Sequence, residues 1–155
     1  MARKTTKDQK EHSKKADAEQ LPETHQILID DKASKLSPKQ PGFIYFELGK
    51  HLETNELELR LKGNDGGGLH SKEWVKLSTI LEILDQQEED KPFKSGVFKP
   101  VFEGKSANNA SFIAAALRCS AIALTDSTEN SIFLHVLNKN FKSRRETLLK
   151  LANSK

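Results

Sequence analysis

The sequence has little of several features that would restrict its function. It contains one cysteine, Cys119, so no disulfide can form within the chain, and a lone thiol favours a reducing compartment. No apolar run approaches the roughly 20 residues that a membrane-spanning helix needs, so we expect no membrane association. The opening stretch, MARKTTKDQKEHSKK, lacks the apolar core of a signal peptide. Together these absences predict a cytoplasmic protein.

Sequence patterns typical of catalytic and metal sites are also missing. The five histidines are not paired at metal-ligand spacing, and one cysteine cannot build a structural zinc site. The stretch GNDGGG at residues 63–68 lacks the ending of a phosphate-binding loop and the spacing of a dinucleotide fingerprint. Glu56 and Glu58 share one face of a strand, which is typical of a solvated surface, and His135 is expected to be structural. We predict no enzymatic activity, no cofactor and no metal.

The charges, by contrast, are unevenly distributed. Residues 1–40 carry nine Lys/Arg and seven Asp/Glu, residues 41–137 ten and fourteen, and residues 138–155 six and one. The corresponding net charges are +2, −4 and +5. Within the acidic middle lies a basic patch, formed by Lys91, Lys94, Lys99, Lys105 and Arg118. A basic surface of this kind attracts a phosphate backbone.

Composition divides the chain into three parts. Residues 1–40 contain no Phe, Tyr or Trp and are rich in Lys, Gln, Glu, Asp and Ser, which predicts a disordered tail. Residues 27–29, Ile-Leu-Ile, are the exception, and they are compatible with an edge strand, an interaction motif or a transient apolar spot. Residues 41–137 are predicted to form a single α+β domain. The basic residues 138–155 are predicted to form a short C-terminal helix or tail.

The first half of that domain combines strands with a long helix. Residues 43–48 and 56–62 read as two strands of a hairpin. Apolar and polar residues alternate along the second, and Ile44, Phe46 and Leu48 supply the matching apolar face of the first. Residues 71–89 predict a helix that Ser71 caps and Trp74 anchors in the core. Its apolar stripe is formed by Trp74, Leu77, Leu81 and Leu84, with Ile80 and Ile83 broadening it.

The second half continues with two shorter helices and a hairpin. A helical segment is expected over residues 100–103, because Pro100 suits a first helical turn. A second helix is predicted over residues 108–120, where apolar residues recur four positions apart. Residues 121–125 and 131–137 are β-prone, and the polar stretch DSTEN between them predicts a hairpin.

From residue 71 to 137 this order of elements resembles a winged helix-turn-helix domain, although no specific family is identified. The resemblance implies that the helix over residues 108–120 enters the major groove and that the hairpin wing touches the backbone. It places Asn108, Ser111 and Arg118 at base edges, since they fall near one helical face. Phosphate contacts are expected from the nearby cations Lys94, Lys99 and Lys105. The wing departs from the pattern, because residues 126–130 carry two acids and no base.

Two functions from different classes follow. The first is a small non-enzymatic protein that binds nucleic acid, with duplex DNA and transcription regulation as the expected setting. The alternative is a protein–protein interaction module or an accessory subunit of a larger assembly, which the acidic middle and the apolar residues 27–29 favour. A homodimer is compatible with both.

Overall fold

The computed structural model of this protein describes residues 23–153, and these residues form an α+β fold. In chain order the elements are β1 (His25–Ser34), β2 (Phe43–His51), β3 (Leu57–Asn64), β4 (Trp74–Lys76), α1 (Leu77–Asp85), β5 (Phe93–Lys94), a 3₁₀ helix (Ser95–Val101), α2 (Asn108–Arg118), β6 (Thr125–Ser127), β7 (Leu134–Leu137), α3 (Phe141–Lys150) and a closing 3₁₀ turn (Leu151–Asn153). The predicted α+β class is confirmed. No helix among the described residues has the length and apolarity to cross a membrane.

The first four strands form an antiparallel sheet in the order β1-β2-β3-β4. The predicted hairpin is confirmed as β2 and β3, where Leu48 pairs with Leu59 and Phe46 with Leu61. These four side chains are almost completely buried. The period-two alternation therefore identified the inner face of the sheet correctly, because successive side chains of a strand point to opposite faces.

Strand β1 corrects the prediction of a disordered tail over residues 1–40. Residues 25–34 pair with β2 along its whole length, from His25 opposite His51 to Ser34 opposite Phe43. The edge-strand alternative for residues 27–29 is thus confirmed, with a bulge between Ile27 and Ile29. Main-chain pairing tolerates a polar sequence here, because the backbone of β2 needs hydrogen-bond partners on both sides. The predicted tail over residues 1–22 lies outside the described part of the chain.

The long helix predicted over residues 71–89 is wrong at its first turns. Residues 74–76 instead form β4, in which Trp74 pairs with Arg60 on the open edge of β3. Helix α1 begins only at Leu77, and Lys76 rather than Ser71 occupies the N-cap position. From Leu77 onward the predicted apolar stripe is confirmed, because the buried residues of α1 are Leu77, Ile80, Leu81 and Leu84. Trp74 is half-buried on the sheet and lies outside the core.

The second half contains a three-stranded sheet in the order β5-β7-β6. The hairpin predicted over residues 121–137 is confirmed as the antiparallel pair β6 and β7, shorter than expected, and β5 adds a third strand. The segment placed at residues 100–103 lies earlier, as the 3₁₀ helix Ser95–Val101. The predicted helix over residues 108–120 is confirmed as α2, which ends at Arg118.

One hydrophobic core connects the two sheets. It extends from Ala33 on β1 to Leu148 on α3, and α2 lies at its centre, in contact with β1, β2 and the 3₁₀ helix. The helix expected within residues 138–155 is confirmed as α3, and its Leu148 is 1% exposed. The four-stranded sheet and the helices that follow it therefore pack as a single unit.

Candidate nucleic-acid interface

Helix α2, to which the resemblance assigned base reading, is almost entirely internal. All of its residues are buried except Asn108, Ser111 and Arg118, the three residues that the sequence had nominated. Ala115, on the same face, is only 2% exposed. Because β1 and β2 pack against α2, the helix cannot lie lengthwise in a DNA major groove in this conformation.

Arg118 contacts the β6–β7 hairpin, residues 125–137, which we refer to as the wing as a label only. Its Nη2 donates to the carbonyl oxygens of Ile132 and Leu134, at 2.7 and 3.0 Å. Its Nε and Nη2 also lie 3.2 and 2.9 Å from Nδ1 of His135. Burial lowers the pKa of Arg118, and nearby Asp126 opposes that shift. The guanidinium therefore ties the end of α2 to β7, and the observed geometry does not present it to a base.

His135 completes that connection from inside the protein. It is fully buried, and its Nδ1 accepts from Arg118, which leaves the proton on Nε2. Nε2 then donates to Oγ of Ser95 at 2.8 Å. Burial, assisted by the charge of Arg118, lowers the pKa of His135 from 6.5 to about 4. The histidine is therefore neutral at physiological pH and joins the start of the 3₁₀ helix to β7.

Asn108 lies at the other end of α2. Its Nδ2 donates to the carbonyl oxygen of Leu69 at 2.8 Å, and this anchors the glycine-rich loop before β4. Beside it, Glu73 accepts from the backbone N–H groups of Glu103 and Gly104 and from the hydroxyl of Ser71. Burial raises the pKa of Glu73, but these hydrogen bonds outweigh that effect and lower it overall. An ionised carboxylate therefore lies against the loop that leads into α2, which disfavours a phosphate nearby.

The three nominated lysines are all exposed, and one of them lines the groove described next. Lys99 lies on the 3₁₀ helix and Lys105 on the loop that follows it, and neither lines the groove described next. Lys94, on β5, does line that groove. No ion pair to any of the three is formed by residues 23–153.

A groove of about 500 Å³ lies between the β1–β2 connection, the start of the 3₁₀ helix, α2 and the wing; we call it the serine–lysine groove. It brings together two of the nominated residues, Lys94 and Ser111. Its polar lining consists of Lys35, Lys94, Ser37, Ser95, Ser111, Ser131 and Gln40, and its other lining residues are Leu36, Gly96, Phe112, Phe133 and Leu134. None of these lining residues is acidic, although the described chain is rich in Asp and Glu elsewhere.

Lys35 and Phe133 supply a cation and an exposed aromatic ring to the groove, and the sequence analysis predicted a role for neither. The Nζ of Lys35 donates to the carbonyl oxygen of Asp65 and lies 5.5 Å from the ring centroid of Phe112. Phe133, at the wing, is 53% exposed. Lys35 also lies near the Asp65 carboxylate, and its charge is one of the causes that lower the pKa of Asp65. An exposed aromatic beside two lysines combines a stacking surface with phosphate-binding cations. Lys35 was missed because it had been assigned to a disordered tail, and Phe133 because its strand was read only as a hairpin arm.

Comparison with known proteins returned nothing that matches this chain: no family model, no curated protein and no solved structure.

Proposed function

We propose that this chain is a non-enzymatic nucleic-acid-binding protein and that the serine–lysine groove is its interface. The observation that carries the proposal is the lining itself: two lysines, four serines and an exposed phenylalanine, with no carboxylate among them. The hydroxyl of Ser111 donates to the carbonyl oxygen of Asn108, so the donors to a phosphate come from the other three serines. Phosphates attract cations and hydroxyl donors, and an aromatic face accepts any base by stacking. A cytoplasmic location fits the single cysteine.

Residues 77–137 are proposed to form a winged-helix unit around this interface. Their order is helix, strand, 3₁₀ helix, helix and hairpin, and their sheet places the last strand, β7, between β5 and β6. In that arrangement the second full helix contributes Ser111 to the groove, and the wing contributes Ser131 and Phe133. Both elements that the resemblance assigns to DNA therefore border one groove.

A single strand suits this groove better than a duplex. Phe133 can stack only on a base that is not already stacked inside a helix, whereas α2 is too buried for major-groove reading. The acids Asp126 and Glu129 on the wing also disfavour a duplex backbone there. We therefore place phosphates at Lys35 and Lys94 and a base on Phe133.

Fluorescence anisotropy with a labelled oligonucleotide tests the proposal, with the oligonucleotide either single-stranded or annealed to its complement. Each measurement is made at about 50 and about 200 mM salt, because the release of counterions from bound phosphates makes affinity fall as salt rises. We expect the single strand to bind more tightly and its affinity to fall with salt. Lys94→Gln should reduce the slope of log K against log salt by about 0.7, the value for one phosphate contact on a single strand. Phe133→Ser should weaken binding by about 1–3 kcal/mol without changing that slope.

Lys91→Gln is the matched control for Lys94→Gln. Lys91 is exposed, pairs with Glu88 at 3.8 Å and lies outside the groove, three residues away. Equal losses in Lys91→Gln and Lys94→Gln would mean that any affinity is diffuse and that the groove is not the interface. Tighter binding of the duplex would reject the single-strand assignment.

A second candidate function rests on a different feature of the wing. Ile132 and Phe133 are adjacent and 42% and 53% exposed, which is typical of a protein contact. Under this alternative the chain is an interaction module or an accessory subunit. Phe133→Ser would then abolish recovery of a stoichiometric protein partner that resists nuclease, whereas Lys94→Gln would leave that recovery unchanged.

A further inference from the structure

Three side chains with metal-binding atoms meet at the end of the four-stranded sheet opposite the serine–lysine groove. His25 begins β1, His51 ends β2, and Glu58 lies on β3. Their ligand atoms all lie within 4.8 Å of one another. The cluster stands at the opposite end of β1 from Lys35, about 30 Å away at the usual rise per strand residue.

From this geometry we propose that His25, His51 and Glu58 form a site for a divalent transition-metal ion of the zinc class. Two imidazoles and one carboxylate are the ligand types that Zn²⁺ and Ni²⁺ accept in proteins. Ligands of a tetrahedral ion at about 2.1 Å lie about 3.4 Å apart. The present separations, from 2.5 Å between His25 and Glu58 to no more than 4.8 Å, bracket that value.

His25 is built like a metal ligand. Its side chain is 5% exposed, and its Nδ1 lies 2.7 Å from Oγ1 of Thr24. Its Nε2 faces Glu58, so a metal on Nε2 moves the ring proton to Nδ1, which then donates to Thr24. A hydrogen bond at the second ring nitrogen is the outer contact that orients most histidine ligands. Trp74 stacks on the other face of the ring, with centroids 3.8 Å apart.

His51 must give up two hydrogen bonds if its Nδ1 is to bind the metal. Its Nδ1 accepts from the backbone N–H groups of Glu53 and Thr54, at 3.1 and 3.4 Å. Both contacts are at or beyond the long end of the usual range, so they compete weakly for the lone pair of the ring. The turn that carries these two N–H groups is exposed, and water can satisfy them when the ring turns to a metal.

Charge and access around the cluster favour a cation. The side chain of Glu58 is 13% exposed, and it forms no ion pair with a lysine or arginine of the described residues. The guanidinium of Arg60, on the same strand as Glu58, is paired with Glu47 at 2.6 Å and lies 4.6 Å over the Trp74 ring. A cleft of about 580 Å³, lined by His25, Trp74 and Arg60 among others, opens beside His25. An additional ligand, such as water, has room there.

The only tryptophan of the chain provides a local probe, because it stacks directly on His25. Titration of the full chain with Ni²⁺ should quench Trp74 emission to saturation, and EDTA should restore it. Prior addition of Zn²⁺ should prevent the quenching. Zn²⁺ should also raise the melting temperature, since an ion that binds only the folded chain stabilises it.

Glu58→Gln should weaken Ni²⁺ quenching and Zn²⁺ stabilisation by about tenfold or more, because it removes the one anionic ligand. The matched control is Glu56→Gln, two residues away on a surface pair with Lys76, which should bind Ni²⁺ like the unaltered chain. His51→Gln, at the half-buried end of β2, gives a second test should Glu58→Gln fold poorly without metal. Absent quenching, or equal quenching in Glu58→Gln and the unaltered chain, would overturn the site.

Discussion

At the residue scale, Arg118 and His135, whose pKa values are both lowered by burial, connect α2 to the wing. Arg118 and His135 bond to each other, and together they reach Ser95, Ile132 and Leu134. A half-buried cation beside a fully buried imidazole is stable because the imidazole stays neutral and accepts from the cation. The arrangement therefore links the stability of the protein to the protonation of one histidine.

His135→Asn should reduce the pH dependence of stability. In the intact chain the pKa of His135 is about 4, against 6.5 for an ordinary histidine. Between these values the unfolded chain binds a proton that the folded chain does not, so stability falls as the pH is lowered. This contributes a loss of about 2 kcal/mol between pH 7.5 and pH 5, measurable by urea unfolding.

Ser95→Ala provides the control for that measurement. It removes the partner of Nε2 but leaves the histidine buried beside Arg118. We expect the steep pH dependence to persist in Ser95→Ala and to diminish in His135→Asn. Identical pH dependence in His135→Asn and the unaltered chain would show that another group controls acid stability.

Arg118→Met should destabilise the wing without altering base readout. The change leaves two carbonyl oxygens, on Ile132 and Leu134, and Nδ1 of His135 without their donor, at a cost of about 1–3 kcal/mol. Thermal unfolding and amide exchange of Leu134 measure this loss. Lys99→Met, which removes an exposed cation, should leave stability unchanged. Unchanged stability in Arg118→Met with lost sequence preference would instead support the reading role that the resemblance implied.

At the scale of elements, strand β1 positions residues of both candidate sites, although its sequence is polar. It covers the edge of β2, contacts α2 and carries the chain into the connection that supplies Lys35, Ser37 and Gln40 to the groove. At its other end it supplies His25 to the proposed metal site. Both candidate sites therefore depend on a strand whose composition predicted disorder.

Ile29→Ala and Ile27→Ala form a matched pair that tests the docking of β1. Ile29 packs against the core, whereas Ile27 is 42% exposed. We expect Ile29→Ala to cost about 2 kcal/mol, at the low end for an apolar truncation in a core. Ile27→Ala should cost under about 0.5 kcal/mol, as surface changes do. Equal effects in denaturant unfolding would mean that β1 is not held in this register.

At the scale of the whole molecule, one core joins the four-stranded sheet to the helical half. Helix α2 contributes to both sides of that core, with Ile113, Ala114 and Leu117 among its most buried residues. Two halves that share a packed helix cannot unfold independently without exposing it. The protein should therefore behave as a single cooperative unit.

Leu117→Ala tests this cooperativity from the centre of the core. Leu117 is fully buried, so the truncation should cost about 2–5 kcal/mol. Trp74 fluorescence reports the sheet and far-UV circular dichroism reports the helices, and both transitions should shift together. Leu149→Ala, at a position 43% exposed, should shift neither appreciably. A shift seen only by circular dichroism would show that the halves unfold separately.

Local periodicity was sufficient to locate the inner face of β2 and β3, the body of α1, helix α2 and the hairpin of β6 and β7. Each of these depends on residues near one another in the chain, where the alternation or the helical repeat is determined by the side chains themselves. The nominated residues of α2 were likewise its only partly exposed ones. The helical repeat of apolar residues identifies which face of a helix is exposed, and it identified the exposed face of α2 correctly.

Tertiary structure alone decided how those faces are used. Residues 25–34 and 74–76 became strands because the edges of β2 and β3 offer unpaired backbone groups to a neighbouring chain segment. The same pairing brought His25, His51 and Glu58 together from three strands, although their spacing along the chain resembles no metal motif. Burial of α2 under the first sheet withdrew Ala115 from solvent. Long-range pairing has no local sequence signature, because backbone hydrogen bonds are nearly independent of side chain.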